Sequence, residues 1–194
     1  MSLKRSLPLL AGALAAVALA APARAQLPSI TPFSFEARAG VAQPTGDLGD
    51  LANTGYTLSG SATYHFIPLV GIYGGYTYSR FEVEGDDEGG FDLVDSGFDL
   101  GARLAIPTPL IPIDPWIKGG LVFHKVSAEG EDIEDDEDSD RELGFQVGAG
   151  LGFGIGPVSL TPGVSFISYK VGDDDDDDVT LSYWEASVGV RIRL

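Results

Sequence analysis

Eight stretches of the chain alternate apolar and polar residues with a period of two, the mark of strands that face a different medium on each side. The clearest is 56–66, where Tyr56, Leu58, Gly60, Ala62, Tyr64 and Phe66 share one face and Thr57, Ser59, Ser61, Thr63 and His65 the other. Residues 33–42, 70–83, 93–106, 113–126, 141–155, 158–171 and 179–194 repeat the pattern, with the phase least clear in 113–126. Pro162 falls inside the seventh stretch and predicts a bulge or weak point there, because proline cannot donate to a ladder.

The connections alternate in length. Residues 44–55, 84–90, 127–140 and 172–178 are long; 67–69, 107–112 and 156–157 are short, carry Pro or Gly and hold no charge. This predicts an all-β chain, an eight-stranded antiparallel up-and-down barrel with one plain end and one ornate end. Strands of ten or more residues suit a tilted crossing of a bilayer, and an even strand number puts both termini on one side.

Composition narrows the chemistry. The 194 residues suit one domain, and the absence of Cys excludes disulfides and thiolate metal sites. With 29 acids against 12 bases, a formal net charge of -17, the chain lacks the basic patch that nucleic-acid binding needs. Most of the acids gather in the last three long connections, so they do not argue against a folded core.

The first residues read as a secretory signal peptide, 1–25. Lys4 and Arg5 precede an apolar run over 7–20, and Ala23, Arg24 and Ala25 form an A-x-A site with cleavage before Gln26. The run is short for a spanning helix. A barrel domain over 26–194 would remain, with nine bases against the same 29 acids.

The last strand adds a second address. Trp184, Ala186, Val188, Val190 and Ile192 alternate with Tyr183, Glu185, Ser187, Gly189, Arg191 and Arg193, and the chain stops at Leu194. Ser187, Gly189, Ile192 and Leu194 occupy the places of the sorting signal that closes bacterial outer-membrane barrels, with Leu194 where an aromatic residue is usual. In this signal and in its strand pattern, the stretch 33–194 resembles the small eight-stranded outer-membrane barrel family that includes OmpX and the OmpA transmembrane domain. The resemblance implies an outer-membrane location, lipid around the barrel and insertion by the barrel-assembly machinery. No peptidoglycan-binding domain is expected after the barrel. Aromatics near strand ends (Phe66, Tyr78, Phe123, Phe166 and Trp184) fit interfacial girdles.

Alternation alone does not say which face points inward. A soluble lipocalin-like barrel would hold its apolar face inside; a membrane barrel turns that face to lipid. The two addresses favour the second. Glu36, Arg38, Asp95, Asp99, Arg103, Lys118, Glu185, Arg191 and Arg193 then share a narrow interior, where unpaired charges are costly. Four acids against five bases predict an ion network that plugs the lumen. A gated path for ions or small solutes is the alternative.

No enzyme is expected, and no cofactor. In lipid-A-modifying barrels a Ser stands two residues after the His; here His124 is followed by Lys125, Val126 and then Ser127, and His65 lies at the short-turn end. Asp136, Asp138 and Asp140 begin a calcium-loop spacing, but Arg141 replaces the required Gly and Val147 the required Glu. The run Asp173, Asp174, Asp175, Asp176, Asp177 and Asp178 reads as a solvated, self-repelling surface. Weak cation binding there, and an extracellular partner bound through the acidic loops, are the sharper readings. The expected role is structural or surface interaction.

Overall fold

The computed structural model describes residues 32–50, 52–83, 91–108, 113–129, 141–171 and 179–194. The expected leader, almost all of the three strongly acidic loops and the run 173–178 lie outside these residues. Eight strands are present: β1 (Phe33–Thr45), β2 (Gly55–Ile67), β3 (Val70–Val83), β4 (Phe91–Ala105), β5 (Asp114–Glu129), β6 (Glu142–Ile155), β7 (Val158–Val171) and β8 (Val179–Arg193). Each pairs antiparallel with the next, and β1 pairs with β8 from Ser34↔Arg193 to Thr45↔Ser182, closing an up-and-down barrel. Closure leaves no unpaired sheet edge, which a lipid environment would penalise heavily.

The apolar face points outward. Phe35, Leu58, Ile72, Leu100, Leu121, Val147, Leu160 and Val188 are exposed, while the intervening Glu36, Thr57, Tyr73, Asp99, Gln146, Ser159 and Ser187 are buried. A lipocalin-like arrangement would invert that order. Aromatics cluster on the outer surface, with ring centroids 5.2 Å apart for Tyr76 and Phe98 and 5.1 Å for Phe166 and Trp184. Such rings suit the polar–apolar boundary of a bilayer.

Of the two outcomes expected at Pro162, the structure shows the weak point and not the bulge: β6 and β7 keep one register from Gly150↔Gly163 to Phe153↔Leu160, with the ladder interrupted between. Two features depart from the expectations. The register shift lies instead between His65 and Ile67, at the first short turn. The first long connection, expected as plain loop, holds a 3-10 helix, η1 (Gly46–Asp50), entered through Gly46 at φ 62°. Its Leu48 is 2 % exposed and joins Ala52, Phe81, Val122, Ile167, Tyr169, Leu181 and Tyr183 in an apolar core at the ornate end. The interior is therefore polar over only part of its height.

Candidate functional site

The polar interior has two levels. The one nearer the short turns centres on Glu36, from β1. Arg38, two residues along the same face, bonds its Oε1; Arg103 of β4 donates to Oε2 at 3.0 Å, and Arg191 of β8 brings Nε to 3.6 Å from that oxygen. All four side chains are buried. Arg38 also donates to Ser187 Oγ through Nε at 3.1 Å and Nη2 at 2.9 Å, and its Nε lies 4.0 Å from Glu185. Trp116 from β5 lies against the same group, its ring 4.1 Å from the Arg103 guanidinium carbon and 5.2 Å from that of Arg38, within cation–π range.

Glycines make room for this level. A Cβ at Gly189 would stand 2.5 Å from Thr161 Oγ1 and 3.0 Å from Arg38 Cγ, so the glycine of the expected sorting signal also admits Arg38. At Gly150 a Cβ would meet the Pro162 carbonyl oxygen at 2.3 Å and the Trp116 ring at 2.5 Å. Two strands and an indole can approach there only because no side chain intervenes.

The second level lies toward the ornate end. His124 of β5 sits between two aspartates of β4: Nε2 is 3.3 Å from Asp99 Oδ1, and Nδ1 is 2.9 Å from Asp95 Oδ1, although not in line for a hydrogen bond. Asp99 accepts from Thr77 at 2.6 Å and from Gln146 at 2.9 Å. Asp95 accepts from the Tyr183 hydroxyl at 2.7 Å. The His124 and Tyr169 rings meet edge on, 5.7 Å between centroids. Above lies the apolar core capped by Leu48.

Of the nine expected interior residues, seven are buried: Glu36, Arg38, Asp95, Asp99, Arg103, Glu185 and Arg191. Lys118 is partly buried, its Nζ 5.9 Å from the Tyr73 ring centre. Arg193 is not interior. As the last residue of β8 it stands at the short-turn rim, its side chain 47 % exposed and 3.5 Å from Asp114. The strand ends there, so the alternation still points it inward but no neighbouring turn covers it. Without Arg193, the four acids face four Lys or Arg side chains and His124 among the described residues.

Tyr73 and Trp116 are the members of this interior that sequence reasoning does not name; His124, Gln146 and Tyr183 fall on polar faces by alternation but stand outside the nine expected network residues. On β5 the reason is plain: Trp116 and Val122 are apolar yet share the inward face with Lys118 and His124, which blurs the period-two signal. The void among these side chains, lined by Glu36, Arg38, Tyr73, Asp99, Arg103 and Lys118 among others, measures about 30 Å³, the share of one water molecule. Among the described residues no group of three or more His, Cys, Asp or Glu side chains is placed to hold a metal ion.

Of the sorting-signal positions, Ser187 and Gly189 face inward, while Ile192 and Leu194 are exposed on the outside at the short-turn end.

The fold is shared with solved outer-membrane proteins. Neisserial surface protein A is 23% identical, with a TM-score of 0.64 over 84% of this chain and 97% of that one. Ail, the attachment invasion locus protein of Yersinia pestis, solved in complex with the heparin analogue sucrose octasulfate, is 19% identical, with a TM-score of 0.51 over 82% of this chain and 99% of that one. OprG from Pseudomonas aeruginosa is 13% identical, with a TM-score of 0.51 over 84% of this chain and 98% of that one. No curated protein matches the sequence. The outer membrane protein beta-barrel domain family matches residues 11–193, nearly the whole chain. With the closed eight-strand barrel and its lipid-facing apolar surface, that match makes this chain a member of the outer membrane protein beta-barrel domain family, seated in the outer-membrane bilayer.

Proposed function

We propose that this barrel is a closed structural or surface-interaction protein, its lumen plugged and its acidic loops turned to the cell exterior. One observation carries the reading: the interior is filled at successive levels, by the Glu36 ion cluster with Trp116, by the Asp95–His124–Asp99 group, and by the apolar core under Leu48. A conducting path would have to pass all three. The chain reaches the membrane behind a leader cleaved before Gln26, and the barrel-assembly machinery reads Ser187, Gly189, Ile192 and Leu194 on the closing strand.

The partner outside the cell is cationic or bridged by divalent cations. Long stretches of Asp and Glu at 84–90, 127–140 and 173–178 repel polyanions and attract bases or metal ions. A sulfated ligand of the kind solved with Ail would meet like charge here.

Single-channel recording of refolded protein spanning 26–194 in planar bilayers, at two salt concentrations, tests the reading. A silent bilayer is expected, with insertion verified by heat-modifiable gel migration. Steady, reproducible openings would overturn it and favour a small pore for ions or solutes, with Arg38, Arg103, Lys118 and Arg191 lining the path.

A further inference from the structure

The short-turn end of the barrel opens into a vestibule of about 420 Å³, distinct from the filled interior above it. Its floor is formed by Arg103 and Arg191, its rim by Arg193 and His65, and its walls by apolar residues of the short turns. Asp114 is the one acid among the described residues that line it, and it already stands beside Arg193. Arg103 and Arg191 share a single close carboxylate, Glu36, with Arg38. That leaves more cation than anion at the floor.

Hydrogen bonding is deficient in the same direction. Nε and Nη2 of both Arg103 and Arg191 lack an acceptor among the described residues, as does the neighbouring Trp116 Nε1. These nitrogens are shielded from solvent, but the guanidiniums that carry them form the vestibule floor. Every orphaned atom in this group is a donor. A buried charge short of counter-charge is unfavourable, and planar guanidinium forks match oxyanions in geometry as well as charge.

We infer that the short-turn vestibule is a binding site for a small oxyanion of the phosphate class, held by Arg103 and Arg191 at its floor with Arg193 at its rim. The site needs only this end of the barrel, so it does not rest on the lumen being closed. The anion is either free in the adjoining compartment or carried on a phospholipid headgroup.

Inorganic phosphate is titrated at constant ionic strength into the refolded chain in a nonionic, phosphate-free detergent, following the arginine Nε–Hε NMR signals. Saturable shifts are expected at Arg103 and Arg191. Arg80, paired with Asp92 at the far end of the barrel, should not move. R191Q should weaken binding about tenfold or more, the worth of one charge-assisted pair. If R191Q fails to fold, R193Q serves, because Arg193 is half exposed and its pair with Asp114 lies at the rim; a several-fold weakening is expected.

A second titration replaces phosphate with a short-chain anionic phospholipid. Shifts with the lipid alone assign the headgroup, and shifts with phosphate alone assign the free ion; either supports the site. No saturable shift with either ligand, equal movement of Arg80, or unchanged binding in the folded variants would overturn it, leaving water as the partner of these guanidiniums.

Discussion

Glu36 is the carboxylate that the three arginines of the lower interior share, and Glu36→Gln is the sharpest probe of that cluster. The substitution keeps shape and removes one charge. In the structure that charge faces Arg103 at 3.0 Å and Arg191 at 3.6 Å, besides Arg38 on the same strand. At an effective dielectric of ~20, the first two contacts are each worth roughly 5 kcal/mol of gross attraction. Burying Glu36 and the guanidiniums away from water offsets most of that sum. What remains is the cost of breaking a buried pair from one side, about 3–5 kcal/mol. A small barrel whose total stability is of order 5–15 kcal/mol would lose a large share of it.

The assay is reversible urea unfolding of the refolded barrel in lipid vesicles, followed by tryptophan fluorescence and heat-modifiable migration. Arg193→Gln is the internal control: its pair with Asp114 is half exposed, so it should cost no more than about 1 kcal/mol. The double variant Glu36→Gln/Arg103→Met should recover part of the loss, because it removes one guanidinium that has lost its acceptor. A cost below about 1 kcal/mol for Glu36→Gln would refute this and show that the three arginines do not depend on the Glu36 carboxylate.

Leu48→Ala should cost about 2–4 kcal/mol, since the side chain is 2 % exposed within the apolar core; a loss below about 0.5 kcal/mol in the same unfolding assay would show that η1 frays independently of the barrel. Gly150→Ala should cost about 1–3 kcal/mol by forcing its methyl group against the Pro162 carbonyl and the Trp116 ring. In a Trp184→Phe background, leaving Trp116 as the reporter, its emission should shift to the red; unchanged emission and stability would mean that the strands there separate without strain.

The sequence by itself determined the strand count, the pairing of neighbours in order, the alternation of long and short connections and the membership of the inward face on most strands. Period-two patterning is local and survives without knowledge of the fold. On β3 and β7 it fixed both ends as observed, because a short turn bounds one side and an acid-rich stretch the other. It also brought together Glu36, Arg38, Arg103 and Arg191 as charges needing partners.

Tertiary structure decided which of them meet. Glu36 and Arg103 are 67 positions apart, and Glu36 reaches Arg191 only because β1 closes on β8; their distances follow from barrel curvature and register, which no local pattern encodes. The same closure leaves Arg193 at the rim, although its parity is that of the interior. On β5 the pattern gave a weak signal because Trp116 and Val122 are apolar and inward: one stacks on guanidiniums and the other packs under the η1 cap. The cap itself was illegible in 44–55, since Leu48 and Ala52 look like ordinary loop residues until a barrel end exists for them to cover. A strand's faces can be read along the chain, but what lies opposite an inward side chain is set by strands far away in sequence, and only the closed barrel brings them into contact.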